Sequence, residues 1–118
     1  MLFSYIKRMK EYAKDYHAKH LGNCAMSVAA AWLNAHQGDM SEVERFRSCG
    51  GGRAEGGLCG ALYAALQYCP AQKDKITEEF RKRCNGTLCS ELRPSKNHTC
   101  NDRVGVAAEI LDELEESK

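Results

Sequence analysis

No Cys-x-x-Cys pair occurs anywhere in this chain of 118 residues, although it holds seven cysteines. That gap excludes a thioredoxin-type redox motif and the paired ligands of a zinc ribbon. Without Cys-x-x-Cys-His there is no covalent haem attachment, and the closely spaced cysteine run of ferredoxins is missing too. Any shared sulfur site must therefore be assembled from distant parts of the chain. An excess of one charge is also lacking: 17 Lys and Arg face 16 Asp and Glu, for a net charge of +1. Such a balance gives no pull toward nucleic acid or an acidic membrane surface. No apolar run approaches the roughly 20 residues of a spanning helix. The opening residues, Met1 to Lys10, have too short an apolar core and no cleavage site for a signal peptide. The expected location is therefore cytoplasmic, where thiols stay reduced and an odd number of cysteines points to metal or redox chemistry. Two Asn-x-Thr triplets, at Asn85 and Asn97, carry no meaning without secretion.

Alternating strand patterns are absent as well, and what remains reads as helices. The apolar positions Phe3, Ile6, Met9, Tyr12, Ala13 and Tyr16 recur every three or four residues, which predicts a helix from Leu2 to about His20. Gly22 and Asn23 interrupt it. A second helix follows from Cys24 to about Ala35, with small residues crowding one side so that a neighbour can approach closely. Ser41 and Glu44 have capping-box spacing ahead of a short helix from Glu42 to Arg47. Five glycines between Gly50 and Gly57 exclude a helix interior, since each would cost about 1 kcal/mol relative to Ala. The Ala- and Leu-rich stretch from Leu58 to Gln67 is then helical, and Pro70 ends it. Ala71 to Arg83 form the next helix, with Ile76 and Phe80 on one face, closed by the turn signal Asn85-Gly86. Thr87 caps a short turn containing Cys89, and Asn97 or Thr99 caps a last helix from Cys100 to about Glu116. No repeat or linker divides the chain. The expected fold is all-α: a single compact bundle of five or six helices spanning residues 1–118.

Four cysteines share one local setting. Cys24 follows Gly-Asn, Cys59 follows Gly-Gly-Leu, Cys89 follows Gly-Thr-Leu and Cys100 follows Asn-His-Thr. Each falls in or near the first turn of an expected helix, where unpaired N–H groups and the helix dipole favour a thiolate. Four such placements point to sulfurs converging on one locus, able to hold a metal or to cycle between dithiol and disulfide. Cys69 and Cys84, at helix ends, suit burial as small hydrophobes. Cys49, beside a triple Gly, is a candidate extra ligand or resolving thiol. His17, His20 and His36 sit at helix C-terminal ends, where a cation suits the dipole. His98, two residues before Cys100, is the one histidine considered as a ligand. The Gly-rich loop follows no strand and has no Gly-Lys-Ser/Thr, so it is not a P-loop.

Asn23-Cys24-Ala25, the Gly-rich segment, Cys59-Gly60-Ala61-Leu62, Cys89-Ser90-Glu91-Leu92, and Cys100 ahead of Val104 and Ala107-Ala108 together resemble the small bacterial and archaeal C_GCAxxG_C_C proteins, a redox-active family. The resemblance runs from about residue 22 to 111, and its four signature cysteines fall on Cys24, Cys59, Cys89 and Cys100. Ala64 stands where the family usually has a second Gly. A similar domain in split-Soret cytochromes houses an iron–sulfur cluster, which implies one here.

The leading expectation is thus an electron-transfer protein whose Cys24, Cys59, Cys89 and Cys100 ligate an iron–sulfur centre, with [2Fe–2S] the expected type. It would serve a redox partner protein, with a homodimer as one assembly and with neither nucleic acid nor membrane as partner. Two alternatives stand beside it. One is a metal-free thiol–disulfide oxidoreductase in which Cys59 attacks and a neighbour such as Cys24 resolves. The other is a structural zinc site on the same four cysteines.

Overall fold

The computed structural model describes residues 8–49, 53–92 and 99–116. The fold is all-α. Six α-helices appear among the described residues: α1 (Met9–Ala18), α2 (Cys24–Ala35), α3 (Gly60–Tyr68), α4 (Lys73–Cys84), α5 (Cys89–Leu92) and α6 (Cys100–Glu116). Between α2 and α3 runs a ten-residue 3₁₀ helix, Met40–Cys49, and two single 3₁₀ turns cover Glu55–Gly57 and Pro70–Gln72. The described residues form no strand; one isolated antiparallel bridge joins Leu58 to Leu88. The radius of gyration is 13.1 Å, that of a compact chain of this length. No helix among the described residues is long and apolar enough to cross a membrane.

Local chemistry sets most helix ends. Asn23 caps α2 by accepting the Met26 amide at 2.8 Å, a contact worth about 1 kcal/mol. The same side chain donates to the Phe46 carbonyl at 3.2 Å and the Arg47 carbonyl at 2.9 Å, so it also pins the end of the 3₁₀ helix to the start of α2. Thr99 and Asp102 form a reciprocal capping box at α6, with contacts of 3.1 and 2.9 Å. Asn97 lies outside the described residues. Asn85 ends α4 in the left-handed conformation, as the Asn-Gly signal requires.

Two expected caps differ. The start of the 3₁₀ helix is set by Asp39, whose carboxylate accepts the Ser41 amide at 2.9 Å. Glu44 is engaged instead by Arg47 at 2.6 and 2.7 Å, so the Ser41–Glu44 box does not form. At α5 the capping group is Glu91, whose carboxylate accepts the Thr87 and Leu88 amides, each at 3.1 Å. In the first helix, the portion before residue 8 lies outside the described residues.

Helix α2 is the hub, packed against α1, α3, α6 and the 3₁₀ helix. Its Ala25, Ala29, Ala30 and Ala31 are buried, as are Ala61, Ala64 and Ala65 of α3. Two helices that present Ala to each other can bring their backbones close, so the first turns of α2 and α3 lie side by side. Ile76, Phe80, Val104, Ala107, Ala108, Leu111 and Leu114 are buried, as their spacing predicts. Helix α1 is fastened by a carboxylate from far along the chain. Asp112 of α6 accepts the amides of Met9 at 2.9 Å and Lys10 at 3.0 Å, satisfying two orphan donors of its first turn.

Candidate functional site

The close approach of α2 and α3 brings two sulfurs together. Cys59 is the N-cap residue of α3 and is 5% exposed. Cys24 opens α2 and is half-buried. The contact is possible because the residue after Cys59 is Gly60. A β-carbon there would stand 2.8 Å from the Cys24 sulfur, 2.8 Å from the Cys49 carbonyl oxygen and 3.2 Å from the Ala25 β-carbon. Gly60 is a glycine because three other parts of the fold occupy the space a side chain would take.

The two thiols share a hydrogen bond in which Cys24 donates and Cys59 accepts. That bond, with burial, pushes the Cys24 thiol well above its ordinary value. Its counterpart pulls Cys59 below the ordinary value, against burial and aided by the Leu62 and Ala61 amides and the charge of Arg103. As a pair they release one proton readily and hold the second. The Ala61 and Ala25 amides favour a charge on Cys24 too; Cys59 has in addition the Leu62 amide and the charge of Arg103.

Arg103 is a residue that sequence reasoning passed over. It sits in the first turn of α6, is 4% exposed, and donates to the Leu92 carbonyl at 3.2 Å and to the Cys100 sulfur at 3.2 Å. Its position three residues after Cys100 was the available signal, since that spacing places two side chains on one helix face. A guanidinium held in the interior stays charged, and its charge favours the ionised forms of Cys59 and Cys84.

The remaining cysteines divide. Cys100 is exposed as a residue and rests on Arg103. Cys89 opens α5, one position beyond the Leu58–Leu88 bridge that ties this segment to the residue before Cys59. Among the described residues no three Cys, His, Asp or Glu side chains are grouped to hold a metal ion. Of the four expected ligands, Cys24 and Cys59 are hydrogen-bonded to each other; the Cys89 segment is tied to Cys59 through the Cys59 amide, which donates to the Thr87 carbonyl at 2.9 Å, and Cys100 rests on Arg103, whose charge also acts on Cys59. His98 lies outside the described residues. Cys84 is 1% exposed, and burial pushes its thiol up to about 11, which fits a packing role. Cys69 is the half-buried residue that ends α3. His36 ends α2, stacked on Trp32 and bonded to Glu115.

Comparison of the chain with models of known families, with curated proteins and with solved structures found no match.

Proposed function

We propose that this chain is a thiol–disulfide redox protein whose working pair is Cys24 and Cys59. The observation that carries the reading is the hydrogen bond between these two thiols where α2 and α3 begin, which favours ionisation of Cys59 over Cys24. In the reduced state Cys59 is the member of the pair that ionises first, while Cys24 keeps its proton. Against a disulfide R–S–S–R, the Cys59 thiolate attacks one sulfur and expels RS⁻. Cys24 then gives up its proton and attacks the Cys59 sulfur. The Cys24–Cys59 bond forms, the second R group leaves, and the products are RSH and RS⁻. Two electrons pass to R–S–S–R, and no metal is needed. In the reverse direction Cys59 is the better leaving group, because a thiol with a lowered pKa departs faster.

The test is a redox titration of the metal-free protein in glutathione buffers, with free thiols trapped and counted by mass. The reading expects a two-electron couple confined to Cys24 and Cys59. Failure of this pair to oxidise reversibly rejects it. Iron and sulfide analysis of protein prepared without oxygen, run alongside, decides for the iron–sulfur alternative if both are present in stoichiometric amount. Zinc that resists exchange, with unfolding on chelation, decides for the structural site.

A further inference from the structure

At the ends of α2 and α3 away from the two thiols, the surface opens into a cleft of about 440 Å³. Trp32 lies eight residues beyond Cys24 and Tyr68 nine beyond Cys59, which puts the cleft about 12–14 Å along the helices from the sulfur pair. Its volume is that of a small-molecule site, for which roughly 300–1,000 Å³ is usual. One wall is aromatic. Trp32 stacks on Tyr68 with ring centroids 5.5 Å apart and an interplanar angle of 21°, and His36 stacks on Trp32 at 3.8 Å and 25°. Leu111, fully buried, and Leu114, 8% exposed, add an aliphatic side from α6. Rings already packed on one another lose little freedom when a ligand arrives, so the wall is preorganised.

The charged groups of the cleft are unevenly occupied. Glu115 is bonded to His36. Lys75, in the first turn of α4, has no hydrogen-bond or ion-pair partner among the described residues. Glu113 feels its charge, yet both Glu113 oxygens are held by Arg83, at 2.7 and 3.0 Å. Helix α4 itself starts at the cleft: its N-cap residue Gln72 lines it and makes no side-chain capping bond. A helix start carries partial positive charge. Lys75 and the start of α4 therefore present positive charge on one side of an aromatic and aliphatic cleft. A ligand with a flat apolar body and one anionic head complements both features.

We propose that this cleft binds a small planar aromatic carboxylate. The ring packs offset or edge-on against the Trp32–Tyr68 wall, the arrangements that ring quadrupoles favour, and its edge rests on Leu111 and Leu114. The carboxylate pairs with Lys75 at the start of α4. A single negative charge suits the site, because Lys75 is its one unclaimed cation among the described residues and Glu115 also borders the cleft. The site lies apart from Cys24 and Cys59, so it stands or falls independently of the thiol–disulfide reading.

The experiment titrates the isotope-labelled full chain, kept reduced, with naphthoate and follows its NMR spectrum. Trp32 is the single tryptophan, so one indole N–H resonance reports on the aromatic wall. That resonance should shift saturably, with a Kd below about 1 mM. The amides of Lys75 and Leu114 should move with it, while the Gly60 amide stays in place. Lys75 is exposed, so Lys75→Met leaves the fold intact. This variant should bind naphthoate about three- to tenfold more weakly and the neutral naphthalenemethanol within about twofold of the wild type. A shift that does not saturate, or one spread over the whole surface, overturns the proposal. So does equally tight binding of octanoate, which lacks the ring, or of naphthylmethylamine, which reverses the charge. A Lys75→Met chain that binds naphthoate as before also overturns it. Sedimentation that shows the ligand-free chain pairing with itself, with the Trp32 resonance broadened as concentration rises, makes the cleft a contact between copies and overturns it as well.

Discussion

Replacing Gly60 by Ala should damage stability and redox behaviour together, and the size of the effect follows from the geometry. The new β-carbon would lie 2.8 Å from the Cys24 sulfur and 2.8 Å from the Cys49 carbonyl oxygen. Both distances are about 1 Å inside the 3.5–4.0 Å at which unbonded heavy atoms sit best. The sulfur can rotate away, but the carbonyl belongs to a backbone that Asn23 holds in place. Overpacking a buried site costs about 1–3 kcal/mol. Ala is the better helix former by at most about 1 kcal/mol, and less in a first turn, so the net loss is about 1–2 kcal/mol. With a urea m-value of roughly 1–3 kcal/mol/M for small proteins, the unfolding midpoint should fall by about 0.3–2 M. The clash also displaces Cys24 from Cys59, so the Cys59 thiolate loses its donor and its pKa should rise. Urea denaturation and thiolate absorbance near 240 nm, on the same sample, read both effects. A Gly60→Ala protein with unchanged midpoint and unchanged thiolate titration would refute the claim that this glycine exists to let Cys24 reach Cys59.

Further expectations follow from other contacts. Arg103→Met should raise the Cys59 pKa, because it removes a buried cation that favours the thiolate; a thiolate titration that does not move would show that Arg103 serves packing alone. Asp112→Ala should cost about 2 kcal/mol in denaturant unfolding, since it strands the Met9 and Lys10 amides; an unchanged midpoint would mean that water caps α1 equally well. The protein should lose stability as pH falls through the ordinary histidine range. Burial lowers the His17 pKa, and its Nδ1 faces the Asn101 amide nitrogen, so the unfolded chain binds a proton there that the folded chain refuses. Replacing His17 by Gln should flatten that part of the pH profile. Cys59 acts in the alkaline range. Its lowered pKa adds stability as pH rises toward the ordinary thiol value, and above that value the raised Cys24 pKa takes stability away, so urea denaturation against pH should show a maximum near the ordinary thiol range.

Much of the fold was legible because its signals are local. Asn23 before Cys24, Pro70 after α3, Asn85-Gly86 after α4 and Thr99 before Cys100 each satisfy or break backbone hydrogen bonds within a few residues, and each marks a helix boundary. The placement of Cys24 and Cys59 at helix starts was legible for the same reason. Which sulfurs meet was not. That depends on how closely α2 and α3 approach, which is decided by Ala25, Ala61 and Gly60 acting across 35 residues of chain. Cys89 and Cys100 carry the same local signal as the other two, and what surrounds them comes from far along the chain or from a buried arginine: Cys89 follows the Leu58–Leu88 bridge, and Cys100 rests on Arg103. Arg103 was missed because arginine is almost never fully buried, so composition and periodicity assign it to solvent. The Ser41–Glu44 spacing was sound as a pattern, but Asp39 and Arg47 lie close enough in sequence to claim both partners.

The account depends most on a proton shared unequally between two neighbouring sulfurs. Thiolate absorbance followed against pH in the reduced wild type, in Cys59→Ser and in Cys24→Ser measures it directly. One thiolate should be present below the ordinary thiol range in the wild type, absent from Cys59→Ser, and shifted to higher pH in Cys24→Ser, where the hydrogen-bond donor is changed. A wild-type protein with no such thiolate, or one whose low-pH thiolate survives loss of Cys59, would contradict it.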